Sequence, residues 1–240
     1  MDAPLNFVVI DLDEDGDKDV IVSAKNDNDV IWLSNDGSEN FTKNTIDNNL
    51  KAARDVAVID LDEDGDLDIL ATSDNSSGHE VVWYSNDGSE NFTTNSIESS
   101  LNSANILAVG DIDGDNDLDV VVTSFQNDDL LWYSNDGSEN FTKNTIDNDI
   151  DGITVARVGD MDGDGFNDVV ANSKLDDDIM LYTYSDSGYV LDISLSGTPN
   201  GSETLTISPT SSSIYDIAGN VAATSQSYST VTLNNLNYIL

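Results

Sequence analysis

Asp11-Leu12-Asp13-Glu14-Asp15-Gly16-Asp17-Lys18-Asp19 crowds carboxylates into nine residues and then comes back three times. Asp60-Leu61-Asp62-Glu63-Asp64-Gly65-Asp66-Leu67-Asp68 is the second copy. Asp111-Ile112-Asp113-Gly114-Asp115-Asn116-Asp117-Leu118-Asp119 and Asp160-Met161-Asp162-Gly163-Asp164-Gly165-Phe166-Asn167-Asp168 complete the set. Each reads D-x-D-x-D-[GN]-x-x-D. Carboxylates at alternate positions, followed by a residue able to turn sharply, wrap oxygens around one hard cation, as calcium sites do. Positions 1, 3, 5 and 9 supply the carboxylates: Asp11, Asp13, Asp15 and Asp19 in the first loop, with their counterparts in the other three. Position 7, which is Asp17, Asp66, Asp117 or Phe166, is expected to offer its backbone carbonyl. Position 6 must adopt positive φ, which glycine accepts freely and asparagine tolerates. An EF-hand would need a glutamate at position 12. Val22, Ala71, Val122 and Ala171 stand there instead. Four calcium ions are therefore expected, about one per loop.

The loops begin at 11, 60, 111 and 160, a period of about 50 residues that marks a stacked or radial repeat. A second motif follows each loop. Trp32-Leu33-Ser34-Asn35-Asp36-Gly37 recurs from Trp83 and from Trp132, and has decayed to Leu181-Tyr182-Thr183-Tyr184 in the fourth unit. In the second unit the pattern predicts strands over Val56–Ile59, Asp68–Thr72, Val81–Ser85 and Phe92–Ile97, with Asn86-Asp87-Gly88 as a hairpin. Helix periodicity is absent. The middle strands are apolar on both faces, as in a sheet covered on both sides. The expected fold is all-β: four-stranded antiparallel blades of a β-propeller. Alternate connections of such a blade share an end, so the acidic loops and Asn-Asp-Gly hairpins should lie together. The loops at 25–29, 74–79, 126–129 and 175–178 should line the other end, where divergence between copies marks a partner surface.

These motifs resemble the VCBS type of FG-GAP repeat, a calcium-binding propeller blade related to those of integrin α-chain heads. The resemblance covers residues 6–188. It implies calcium in the loop joining the first two strands and about seven blades per ring. Four units leave two expectations, a small closed ring or an open arc. The chain starts almost at a strand and has no leader, which favours an arc cut from a longer protein.

The repeats are placed at 1–188 and a Ser/Thr-rich β segment at 189–240. In the latter, strands are expected at Leu191–Leu195, Glu203–Ile207, Ser213–Tyr215 and Thr230–Leu233. Tyr215-Asp216-Ile217-Ala218-Gly219-Asn220 resembles part of an Ig-like repeat of bacterial surface proteins. The segment is too short for a full sandwich of about 100 residues, and a weakly structured linker is the other reading.

Eight basic residues against 47 acidic ones give a net charge of −39. Nucleic acid and membrane insertion are excluded as partnerships on that balance and on the lack of an apolar span. Cysteine is absent, so no disulfide framework exists. Calcium is scarce in the cytosol, and loop sites of this kind work in the extracellular range. An extracellular or cell-surface location follows, with any leader lying outside this sequence. Trp32, Trp83 and Trp132 read as blade core rather than sugar-stacking platforms. His79, the only histidine, offers no catalytic dyad. The well-spaced carboxylate pairs that could serve a glycosidase belong to the acidic loops. The expectation is a non-enzymatic, calcium-stabilised segment of a surface or adhesion protein, with protein or glycan ligands. A carbohydrate-binding module of a larger secreted protein is the alternative.

Overall fold

The computed structural model describes residues 1–75, 81–101, 103–175 and 177–184, and the backbone of 191–196. His79 and the segment after 196 lie outside the described residues, and with them the remaining strands expected there and the Ig-like element. Among the described residues no helix is long and apolar enough to cross a membrane.

Among the described residues sixteen strands form four antiparallel sheets, one per repeat unit. The first holds β1 (Pro4–Ile10), β2 (Asp19–Ala24), β3 (Asp29–Asn35) and β4 (Phe41–Asp47) in that order. The second holds β5 (Ala53–Ile59), β6 (Asp68–Ser73), β7 (Val81–Asn86) and β8 (Phe92–Glu98). The third holds β9 (Ala104–Gly110), β10 (Asp119–Ser124), β11 (Asp129–Asn135) and β12 (Phe141–Asp147). In the fourth, β13 (Ile153–Gly159), β14 (Asp168–Ser173) and β15 (Asp178–Thr183) are joined by β16 (Leu191–Ser196). β16 lies beyond residue 188, the limit expected for the repeats, yet it pairs with β15 along its length. The strand expected at 191–195 thus completes the fourth unit.

The core lies between sheets rather than within one. Ile21, Val30 and Trp32 of the first sheet meet Val56, Ile69, Ala71, Val82 and Tyr84 of the second. The same seam recurs between the second and third sheets and between the third and fourth. This explains the continuous apolar runs: β6 and β10 are buried at every residue because a neighbour covers each face. Burying one such aliphatic side chain is worth about 1.5–3 kcal/mol. A polar link accompanies each seam. Tyr84 Oη donates to Asp47 at 2.8 Å, Tyr133 Oη to Glu98 at 3.3 Å and Tyr182 Oη to Asp147 at 2.7 Å.

The inner strands pack in chain order, β1 on β5, β5 on β9 and β9 on β13, and no comparable packing joins β13 back to β1 among the described strands. The array is therefore an open arc and not a small closed ring. At its first edge Phe7 and Val9 are 65% and 56% exposed, at the positions where Val56 and Val58 of the second unit pack inward.

Asp55 ties three inner strands together. It sits where the β5 register shifts between Ala53 and Val56, and it is buried. Such irregularities re-aim side chains. Its Oδ1 accepts from Asn6 Nδ2 and from Val56 N, and its Oδ2 accepts from Leu107 N at 2.9 Å. Asp55→Ala would strand the buried Leu107 amide, so a loss of about 1–3 kcal/mol is expected in urea unfolding. A loss within error would mean that the carboxylate does not join the sheets.

Candidate metal centres

Each acidic loop connects the inner strand of a sheet to the next strand, and its own backbone winds it. The position-1 carboxylate accepts the amide of position 6: Asp11 from Gly16 at 3.0 Å, Asp60 from Gly65 at 3.1 Å, Asp111 from Asn116 at 3.0 Å and Asp160 from Gly165 at 3.1 Å. Position 3 accepts from position 5, and position 5 from position 7, as Asp13 does from Asp15 and Asp15 from Asp17. This ladder uses one oxygen of each carboxylate at positions 3 and 5. The turn residues have the expected positive φ: 100° at Gly16 and Gly65, 77° at Asn116 and 96° at Gly165.

Position 9 closes the loop from inside. Asp19, Asp68, Asp119 and Asp168 are fully buried. In each, Oδ2 accepts the amide of loop position 2: Leu12 at 3.2 Å, Leu61 at 3.0 Å, Ile112 at 2.8 Å and Met161 at 2.8 Å. In each, Oδ1 accepts an amide at or just beyond the end of the third strand: Asn35 and Asn86 at 2.8 Å, Asn135 at 2.9 Å and Tyr184 at 3.2 Å. This double anchoring is a structural duty that spacing alone did not reveal.

Four triads of carboxylates result, each with ligand oxygens within 4.8 Å of one another. They are Asp11, Asp13 and Asp15; Asp60, Asp62 and Asp68; Asp111, Asp113 and Asp115; Asp160, Asp162 and Asp168. Every member is among the residues expected from sequence. Asp19 and Asp119 stand outside their triads but keep the same backbone anchors as Asp68 and Asp168. Asp64 and Asp164 stand outside theirs and accept the position-7 amide as Asp15 and Asp115 do. Oδ1 of Asp11 and of Asp60 is buried with no hydrogen-bond partner. An orphaned carboxylate oxygen beside two further carboxylates fits a hard cation. Each triad could hold a metal ion.

The electrostatics agree. Burial pushes the Asp68 and Asp119 carboxyls up to about 6, with Asp62 and Asp113 adding repulsion. Burial likewise raises Asp13, Asp62, Asp113 and Asp168, assisted by neighbouring carboxylates. Glu90 and Glu139, from the hairpin of the following unit, contribute to the negative field at Asp13 and Asp62. The hairpins therefore share an end with the acidic loops. Gly37 confirms this placement: a Cβ there would collide with Asp17 Oδ2, so the hairpin glycine lies against the position-7 carboxylate.

A pH dependence follows from these directions. The raised carboxyls bind protons in the folded state at pH values where the unfolded chain does not. Without metal, stability should therefore rise as pH falls from about 6 towards 3.8. Asp36, Asp87 and Asp136 are shifted the other way by the Asn40, Asn91 and Asn140 side chains, and their contribution is lost only below that window. Metal binding requires ionised ligands. With metal present, stability should instead fall on acidification. Melting curves at about pH 5 and pH 7.5, with and without metal, should cross; parallel curves would contradict strained metal-ligating carboxylates.

Position 4 was not foreseen from sequence. Glu14 and Glu63 have φ of 58° and 60°, where the third and fourth loops place Gly114 and Gly163. The alternation of Glu and Gly at that position was the available signal. The fourth loop also departs at position 7, where the Phe166 ring packs against Gly114 of the third loop and lies 6.2 Å from the Tyr184 ring.

The FG-GAP-like repeat family matches residues 11–71, 60–122 and 111–171, three overlapping copies that each span two acidic loops. No curated protein matches the chain. Among solved structures, a luciferin-regenerating enzyme has a similar fold, with a TM-score of 0.54 at 13% identity over 89% of this chain and 74% of that one.

Proposed function

The chain belongs to the family of FG-GAP-like repeats, and from that premise we propose that it is a non-enzymatic, calcium-binding segment of an exported surface or adhesion protein. Calcium stabilises the sheets in this reading. The observation that carries it is the fourfold convergence of aspartate triads with oxygens within 4.8 Å. All-oxygen, flexible loops of this kind suit calcium; magnesium demands compact octahedral geometry and gives up water reluctantly. Asp11, Asp13, Asp15 and Asp19 would hold the first ion. Asp60, Asp62, Asp64 and Asp68 would hold the second. Asp111, Asp113, Asp115 and Asp119 would hold the third, and Asp160, Asp162, Asp164 and Asp168 the fourth. Weak loop sites fill where calcium is abundant, which supports an extracellular or cell-surface location.

Trp32 and Trp83 are 3% and 2% exposed, so their rings are committed to the core rather than offered to sugars. That favours a structural segment over a carbohydrate-binding module. Protein or glycan ligands would be read by the divergent loops at the end opposite the calcium.

Titration calorimetry tests the metal assignment. About four calcium ions should bind per chain, with magnesium competing poorly. No calcium uptake at millimolar concentration would remove the basis of the proposal.

A further inference from the structure

The first three units each carry a tryptophan whose Nε1 is buried with no hydrogen-bond partner: Trp32, Trp83 and Trp132. A buried indole N–H without an acceptor is costly and uncommon. Here it recurs at one place in the repeat. Trp32 stands opposite Ile21, Trp83 opposite Leu70 and Trp132 opposite Val121. Each of those partners lies two residues after the position-9 aspartate. Residues two apart on a strand share a face, so each tryptophan is a diagonal same-face neighbour of the position-9 aspartate, within reach of a long aromatic side chain.

We propose that Trp32, Trp83 and Trp132 are positioning residues for calcium, each turning the position-9 carboxylate so that one lone pair faces the ion. The proposal rests on the calcium reading of the loops. An ionised carboxylate offers about four lone-pair directions. Asp68 already accepts the amides of Leu61 and Asn86. An indole N–H as third donor leaves one direction open, and the carboxylate can no longer rotate away from the site. Outer-shell donors of this kind fix ligand orientation at metal centres generally.

The fourth unit supplies an internal contrast. Leu181 replaces the tryptophan, opposite Val170. There the anchor from Tyr184 N to Asp168 lengthens to 3.2 Å, against 2.8–2.9 Å in the three tryptophan units. The fourth site should therefore be the weakest.

The three indole N–H signals in a proton–nitrogen NMR spectrum give a direct readout. Calcium added to the full chain should move all three downfield as the indole hydrogen bonds tighten. Trp83→Phe keeps an aromatic ring in the core and removes the donor. It should weaken one calcium site about tenfold and leave the number of ions unchanged in calorimetry. Leu181→Trp should tighten the fourth site. Indole signals that stay still while calorimetry records calcium uptake would overturn the proposal and leave the calcium reading standing. An absence of uptake would overturn both. If Trp83→Phe fails to fold, the native spectrum alone decides.

Discussion

Excess chelator should lower the melting temperature of this protein by about 20 °C or more. One site at 100 times its dissociation constant stabilises the folded state by about 2.7 kcal/mol. For a domain of this size each kcal/mol moves the midpoint by about 2–4 °C. Four sites acting on one stacked array would add up, because each loop begins and ends on strands packed against a neighbouring sheet. Removing the ions also leaves the carboxylates of each triad, with oxygens within 4.8 Å, to repel one another. Calcium, but not magnesium, should restore the melt. An unchanged midpoint in chelator would mean that the loops are only acidic turns.

Asp68→Ala should destabilise the protein by about 2–5 kcal/mol in urea unfolding even in chelator. Its two oxygens hold the amides of Leu61 and Asn86, both buried, and alanine satisfies neither. Asp62→Ala in the same triad is the control. Asp62 sits nearer the surface, its carboxyl is raised by burial and by its neighbours, and it anchors only the next turn of the loop. Its loss should abolish one calcium site while leaving metal-free stability nearly intact. Equal losses for the two variants in chelator would show that Asp68 is a ligand and nothing more.

The contrast between these two aspartates also shows how far the sequence could be read. D-x-D-x-D-[GN]-x-x-D names the four aspartates from which each triad is drawn, since the alternation and the turn residue bring them to one loop. It does not state that position 9 is a buried anchor, because that depends on the far end of the next strand, whose amide it accepts. The same limit applies at the edge of the arc. Phe7 and Val9 follow the alternation of Val56 and Val58, so the sequence assigns both pairs to one face. Whether another sheet covers that face is a matter of tertiary packing, and only the structure decides between arc and ring. Strand β16 was legible as a strand from its apolar alternation, but its pairing with β15 was hidden by the decayed hairpin before it. The links from Tyr84, Tyr133 and Tyr182 to Asp47, Glu98 and Asp147 had a sequence signal. Tyrosine recurs after the tryptophan position in three units, and Leu33 takes its place in the first.

The most direct test is an anomalous difference map from crystals grown in calcium. The account predicts four peaks per chain, each enclosed by one acidic loop, with carboxylate oxygens of positions 1, 3, 5 and 9 at about 2.3–2.6 Å. A map with no peaks in these loops, or with ions held elsewhere on the acidic surface, would contradict it.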